Sequence, residues 1–211
     1  MNARDTIKQK LFPTVMAPQY EELSPCPVNQ SRLLMAGSGL FIEAVKPWGK
    51  IVAQLWENAR AVPLPYGHIE EHYDDFFQVL DRIGPIISSE IIGEAAAFAE
   101  KGLEWAGWIV YDGESFSYMP VPFEASRASA KVLWPNVPGY SLVADVHSHG
   151  TIPSGFSSTD DIDDSGGVRI CIVLGDYKKV DGKPIFTQKI RFAIEGFFVE
   201  VDYDAERWFK E

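Results

Sequence analysis

The sequence predicts an α+β fold built on a central mixed β-sheet. Two observations carry that expectation. Residues 105–111 and 168–174 are nearly continuous apolar runs with the length of buried strands. Around them, helix and strand signals follow in the order helix, hairpin, strand, short helix, strands, an order that fits one sheet with helices packed beside it.

In chain order, residues 1–30 read as irregular, because Pro13, Pro18, Pro25 and Pro27 interrupt any helix begun there. From Arg32 onward three short apolar runs, 33–36, 40–45 and 50–56, are separated by Gly37-Ser38-Gly39 and Lys46-Pro47-Trp48-Gly49, the pattern of a small antiparallel β-meander. Residues 62–67 form a loop. Residues 68–81 are expected to be a polar-faced helix with Phe76, Phe77 and Leu80 inward. Gly84-Pro85 reads as a break, dividing the chain into an N-terminal extension, 1–84, and a second domain, 85–211.

The second domain opens on a helix, with Ile87, Ile91, Ala95 and Phe98 at helical spacing and Lys101-Gly102 at its end. Glu104 stands at the junction with the first buried strand. Asp112-Gly113 is a hairpin signal, and the return strand stops at Pro120 and Pro122. Residues 123–140 are a long connection, expected to be partly helical. Residues 142–146 form a strand ending at His147. Ser158 or Thr159 can cap a short helix over residues 160–164, which Gly166-Gly167 stops. Residues 168–174, 185–194 and 197–203 supply further strands.

Composition narrows the function. Apolar residues make up 46% of the chain, enough for a real core. The formal net charge of −11 argues against a nucleic-acid partner, since sequence-independent grip on phosphate needs Lys and Arg. Cys26 and Cys171 lie far apart and form no metal knuckle, so a reducing compartment is the default. Residues 1–5 lead into no signal-peptide core, and no apolar run approaches the ~18 residues of a membrane span. The expectation is a cytoplasmic protein without a membrane segment.

The chemistry concentrates in residues 146–160. His147 and His149 are two apart at a strand end, so both imidazoles fall on one side. Gly150, Pro153 and Gly155 let the chain curl and return Asp160 to the same point. Two imidazoles and a carboxylate make a three-ligand zinc set with a position left for water, whose pKa such a metal lowers to about 7. Ser157 can donate to an oxyanion. A general base is missing locally, and Glu104 is the best candidate.

His147-x-His149, seven residues, Ser157, two residues, Asp160 resembles the signature of the JAMM (MPN-plus, JAB-domain) metalloprotease family. Glu104-Trp105-Ala106-Gly107 resembles that family's upstream Glu-x-x-Gly pattern, and the likeness covers roughly residues 85–202. The resemblance implies a JAB/MPN-like central mixed sheet flanked by helices in a cytidine-deaminase-like layout. It implies Zn2+ on His147, His149 and Asp160, with Glu104 as acid/base and Ser157 on the oxyanion side. It further implies a hydrolase cutting peptide or isopeptide bonds at the C-terminal tail of a ubiquitin-like or sulfur-carrier protein. The long N-terminal extension also resembles the bacterial PRTRC-system A type, which is linked to an E1-like (ThiF-related) partner. The chain departs from the family in having Gly150 where Pro is usual, and in an unusual Asp145, which by alternation shares the face of the two histidines.

Other readings stand beside this one. The same fold can serve as a non-catalytic MPN-like binding or scaffold module, and the same zinc centre can serve a small-molecule amide hydrolase. Ser157 can equally be part of a helix cap. The acidic run Asp160, Asp161, Asp163, Asp164 reads mostly as a solvated helix face. His68-Ile69-Glu70-Glu71-His72 fits an inverted-zincin pattern, His-x-x-Glu-His, if it is helical. Trp134 and Tyr140 are candidates for lining a groove that takes an extended tail.

Overall fold

The computed structural model describes residues 2–60, 62–127, 129–133, 137–201, 203, 204 and 208. Trp134, one of the two groove candidates, lies outside them, while Tyr140 is largely exposed. The chain divides into two compact units, Met1–Val79 and Leu80–Glu211.

The first unit begins with helix α1, Ala3–Leu11, capped by the Asn2 side chain on Arg4 N–H, so the expectation of an irregular N-terminus is corrected. The prolines begin at Pro13, after the helix has ended, and cannot break it. Strands β1 (Thr14–Met16), β2 (Gln30–Ala36), β3 (Gly39–Lys46) and β4 (Gly49–Glu57) form one sheet in that order; β2–β4 are the antiparallel meander and β1 joins in parallel. Leu34, Ala36, Phe41 and Val52 form its core with Ala17. A buried Arg32–Glu43 pair lies directly across β2 and β3, and Lys50 joins Glu43 at 2.9 Å.

Residues 68–73 are not helical. His72 exchanges backbone hydrogen bonds with Val52, which draws this segment out along the sheet, and helix α2 starts only at Asp74 (Asp74–Ile86). Nor does Gly84-Pro85 break the chain. The helix runs through Pro85 into a wider π turn, Ile87–Ile91, and on into α3, Ile92–Ala99. Ser88 and Ser89 hydroxyls both donate to the Pro85 carbonyl within this turn, which supplies partners where the regular ladder is disturbed.

The second unit is an α+β domain around a six-stranded mixed sheet. Its strands are β5 (Trp105–Tyr111), β6 (Phe116–Met119), β9 (Ser141–Ser148), β10 (Val168–Val180), β11 (Lys183–Ile194) and β12 (Phe197–Glu200). The order across the sheet is β12-β11-β10-β9-β5-β6, and β9 with β10 is its parallel pair. Between β6 and β9 the chain forms a two-stranded hairpin, β7 (Phe123–Ala125) and β8 (Ala130–Val132), where partial helix was expected. Helix α3 presents Ile92, Ala95, Ala96 and Ala99 inward, continuing from Ile87 and Ile91 of the π turn, and lies against β5, β9 and β11. Short helix α4, Ser158–Asp163, follows β9.

Among the described residues, no helix is long and apolar enough to cross a membrane.

Candidate metal centre

The pairing of β5 with β9 builds the site. In this antiparallel register Trp105 lies opposite Ser148 and Ala106 opposite His147. Glu104, one residue before β5, is thereby delivered to the end of β9 that carries the histidines, although it is far away in sequence. Ser148, on the face away from the histidines, is fully buried, and its hydroxyl accepts from Trp105 N–H at 3.2 Å. On that same face the Trp105 indole lies over Gly107. A Cβ at position 107 would sit 2.6 Å from the ring, so Glu-x-x-Gly is a packing requirement of this strand. The Trp105 indole N–H and the Tyr118 hydroxyl both donate to Glu94 of α3, which fixes the strand carrying Glu104 to that helix.

His147 and His149 converge at the end of β9, with their Nε2 atoms 3.2 Å apart. Asp160 completes the set: Oδ1 is 3.3 Å from His147 Nε2 and Oδ2 is 3.9 Å from His149 Nε2. Ligand atoms bound to one tetrahedral zinc at about 2.05 Å are separated by about 3.3 Å, so these three donors stand near the spacing one ion requires. Among the described residues, these three are the one group of His, Cys, Asp or Glu side chains close enough to hold an ion.

Two glycines let the loop after β9 return Asp160 to this point. Gly150 takes φ +59, a left-handed conformation closed to proline, so the chain leaves His149 along a path that Pro would forbid. Gly175 of β10 passes directly beneath the loop, and a Cβ there would lie 2.2 Å from Ser154 N and 2.6 Å from Ile152 O. The helix cap is Ser157, ahead of Ser158 and Thr159, which bears out the reading of Ser157 as part of a cap. Its hydroxyl accepts from Asp160 N–H at 3.3 Å, and Asp160 Oδ2 accepts from Ser157 N–H at 2.6 Å. The Ser-x-x-Asp spacing is thus a capping box, which orients the carboxylate. The Ser157 side chain also bonds the Asp160 carboxylate and helps to keep it ionised.

Glu104, Ser157, His147, His149 and Asp160 all line one cavity of about 310 Å³. Asp145 and the β8 side chains of Ala130, Lys131 and Val132 complete part of its wall. Burial pushes the Glu104 carboxyl up, a push that His147 partly offsets, so it is readier to take and hold a proton. For Asp160, burial opposes ionisation, but the bonds from His147 and Ser157 outweigh it and hold the carboxyl well below its usual range. Burial would lower His147, yet Asp160 raises it; His149 is lowered by burial and by His147. Asp145 is pushed up to about 6 by burial, against the pull of His147 and Arg169.

Asp164 corrects the picture of a solvated acidic helix. It is buried and accepts from Arg191 at 2.7 Å and Arg169 at 3.3 Å, while Asp161 pairs with Arg191 at 2.5 Å. Sequence reasoning missed both arginines. The available signal was a cation inside an apolar strand, as in Val168-Arg169-Ile170, which has to meet a partner. The rival pair does not converge. His68 is exposed on an extended segment, and His72 Nε2 meets Asp75 at 3.1 Å.

Residues 90–188 match the family model of prokaryotic homologs of the JAB domain, and residues 2–74 match a domain of unknown function, DUF2016. No curated protein matches the chain. A JAB domain is a metal-dependent hydrolase or an MPN-like module. It is the second unit, over residues 90–188, that matches the prokaryotic JAB domain family.

Proposed function

We propose that this protein is a zinc-dependent hydrolase of peptide or isopeptide bonds. The observation that carries the reading is the near-tetrahedral spacing of His147, His149 and Asp160 at the wall of a cavity that Glu104 also lines. In this reading the three side chains hold the ion. Zinc held there supplies Lewis-acid activation of the attacking water and of the scissile carbonyl. Glu104 takes the water's proton and passes it to the leaving amine; its raised affinity for protons suits both halves of that transfer. The Ser157 hydroxyl, which lines the same cavity, turns to donate to the carbonyl oxygen as negative charge develops there.

The substrate we propose is the C-terminal tail of a ubiquitin-like or sulfur-carrier protein, with an E1-like protein as a further partner and the cytoplasm as the compartment. The resemblance of both motifs to the JAMM signature supports this. The test is a cleavage assay on a fusion to the tail of a ubiquitin-like protein. The wild type is expected to release the fused partner, and Glu104→Gln to keep zinc and lose cleavage. A zinc-loaded wild type that cleaves small acyl-amino acids and no protein tail would replace the tail with a small amide. One that cleaves neither would leave a binding module.

A further inference from the structure

Helix α4 carries Asp160, yet it has little of its own to hold it in place. It is six residues long, far below the length at which an isolated helix persists, and residues 158–163 include no buried side chain. Ile162, its one large apolar residue, is 73% exposed. Polar groups must therefore seat it. Ser157 closes its first turn, and Arg169 of β10 donates to the Asp163 and Gly166 carbonyls at its far end.

Arg191 acts between these ends. It is buried in β11, in one row across the sheet with Cys171 of β10 and Asp145 of β9. Its guanidinium lies 3.9 Å from the Phe156 ring centroid and 3.9 Å from that of Phe198. Phe156 immediately precedes the Ser157 cap. One edge of the fork donates to Asp161 at 2.5 Å and to Asp164 at 2.7 Å. A planar cation can stack and donate in its plane at once, and a lysine cannot reproduce both.

We propose that Arg191 is a positioning residue for the metal centre: stacked between Phe156 and Phe198, it fixes α4 and thereby sets the Asp160 carboxylate against His147 and His149. Its consequence for the ion rests on the zinc reading above; the placement of the helix does not.

The test uses the full chain, metal-free and then with zinc. In metal-free protein, Arg191→Lys should speed hydrogen exchange of the Asp161 and Asp164 amides at least tenfold. These amides donate to Ser157 and Asp160 carbonyls within α4. The His149 amide, bonded to Leu174 in the sheet, should keep its protection. With zinc, the same variant should bind about 10–100-fold more weakly. A cobalt-loaded sample should show an altered visible spectrum. Unchanged α4 exchange in a folded Arg191→Lys protein would overturn the proposal. If that variant does not fold, Asp161→Asn and Phe198→Leu each remove one contact; faster α4 exchange in either supports the clamp, and none in both overturns it. A wild type that takes no zinc would refute the zinc reading, and the exchange data would still decide the clamp.

Discussion

Two histidine pairs in this chain look alike in sequence and part company in structure. His147 and His149 are two apart on a strand end, where a period of two aims both rings the same way. His68 and His72 are four apart, a spacing that converges only on a helix, and their segment is extended because His72 pairs with Val52 along the sheet. A ligand spacing has meaning only with the period of the element that carries it. The first pair also has a third donor, delivered by a glycine-dependent loop and a capped helix. Around the second pair, Asp75 meets His72 through one oxygen and the Lys50 N–H through the other, and among the described residues no carboxylate joins His68 to His72.

Substitutions at the two pairs and at their supports should differ widely in effect. The largest effect is expected at Glu104: Glu104→Gln should lower turnover about 10²–10⁴-fold with zinc content intact, read by steady-state kinetics beside metal analysis. Next comes Gly175→Ala. Its Cβ would meet the backbone of Ser154 and Ile152, so the loop must lift. A cost of about 1–3 kcal/mol in stability, read by denaturant unfolding, and weaker zinc binding should appear together.

A smaller effect concerns pH in the metal-free protein. His147 is raised by Asp160, so its contribution to stability is full below about pH 6.5 and fades as pH climbs through its folded value. Asp160 is lowered, so its contribution is full above about pH 4 and fades as pH falls. The stability gap between wild type and Asp160→Asn should therefore peak between those values and narrow towards pH 8; a gap that widens towards pH 8 would contradict the pairing. The smallest effect is expected at the rival pair. His72→Ala should cost under about 1 kcal/mol, because its bond to Asp75 is partly exposed, and should leave zinc content unchanged.

Much of the second unit was legible because its signals are local. The buried runs at β5 and β10, the Asp112-Gly113 turn and the His-x-His strand end each declare themselves within a few residues. What escaped depended on partners distant in sequence. Helix α2 begins late because β4 captures His72. The start of the 123–140 connection became a hairpin through the short pairing of β7 with β8, which its mixed composition did not signal. Asp164 read as solvated because its cations, Arg169 and Arg191, sit in two strands that only the folded sheet brings beneath α4. The Ser157–Asp160 spacing was legible as a motif, but its cause, a capping box that aims the ligand carboxylate, emerged from the structure. Residues 3–11 were hidden by the prolines that follow them, though Asn2 and a run of good helix formers were there to be read.

The most direct measurement is zinc content after exhaustive dialysis of wild type, His149→Ala and His72→Ala, each checked for a folded sheet by circular dichroism. Wild type and His72→Ala should each retain about one zinc per chain, and His149→Ala none. A folded wild type that retains no zinc, or a His149→Ala protein that retains as much as wild type, would contradict the zinc reading of this site.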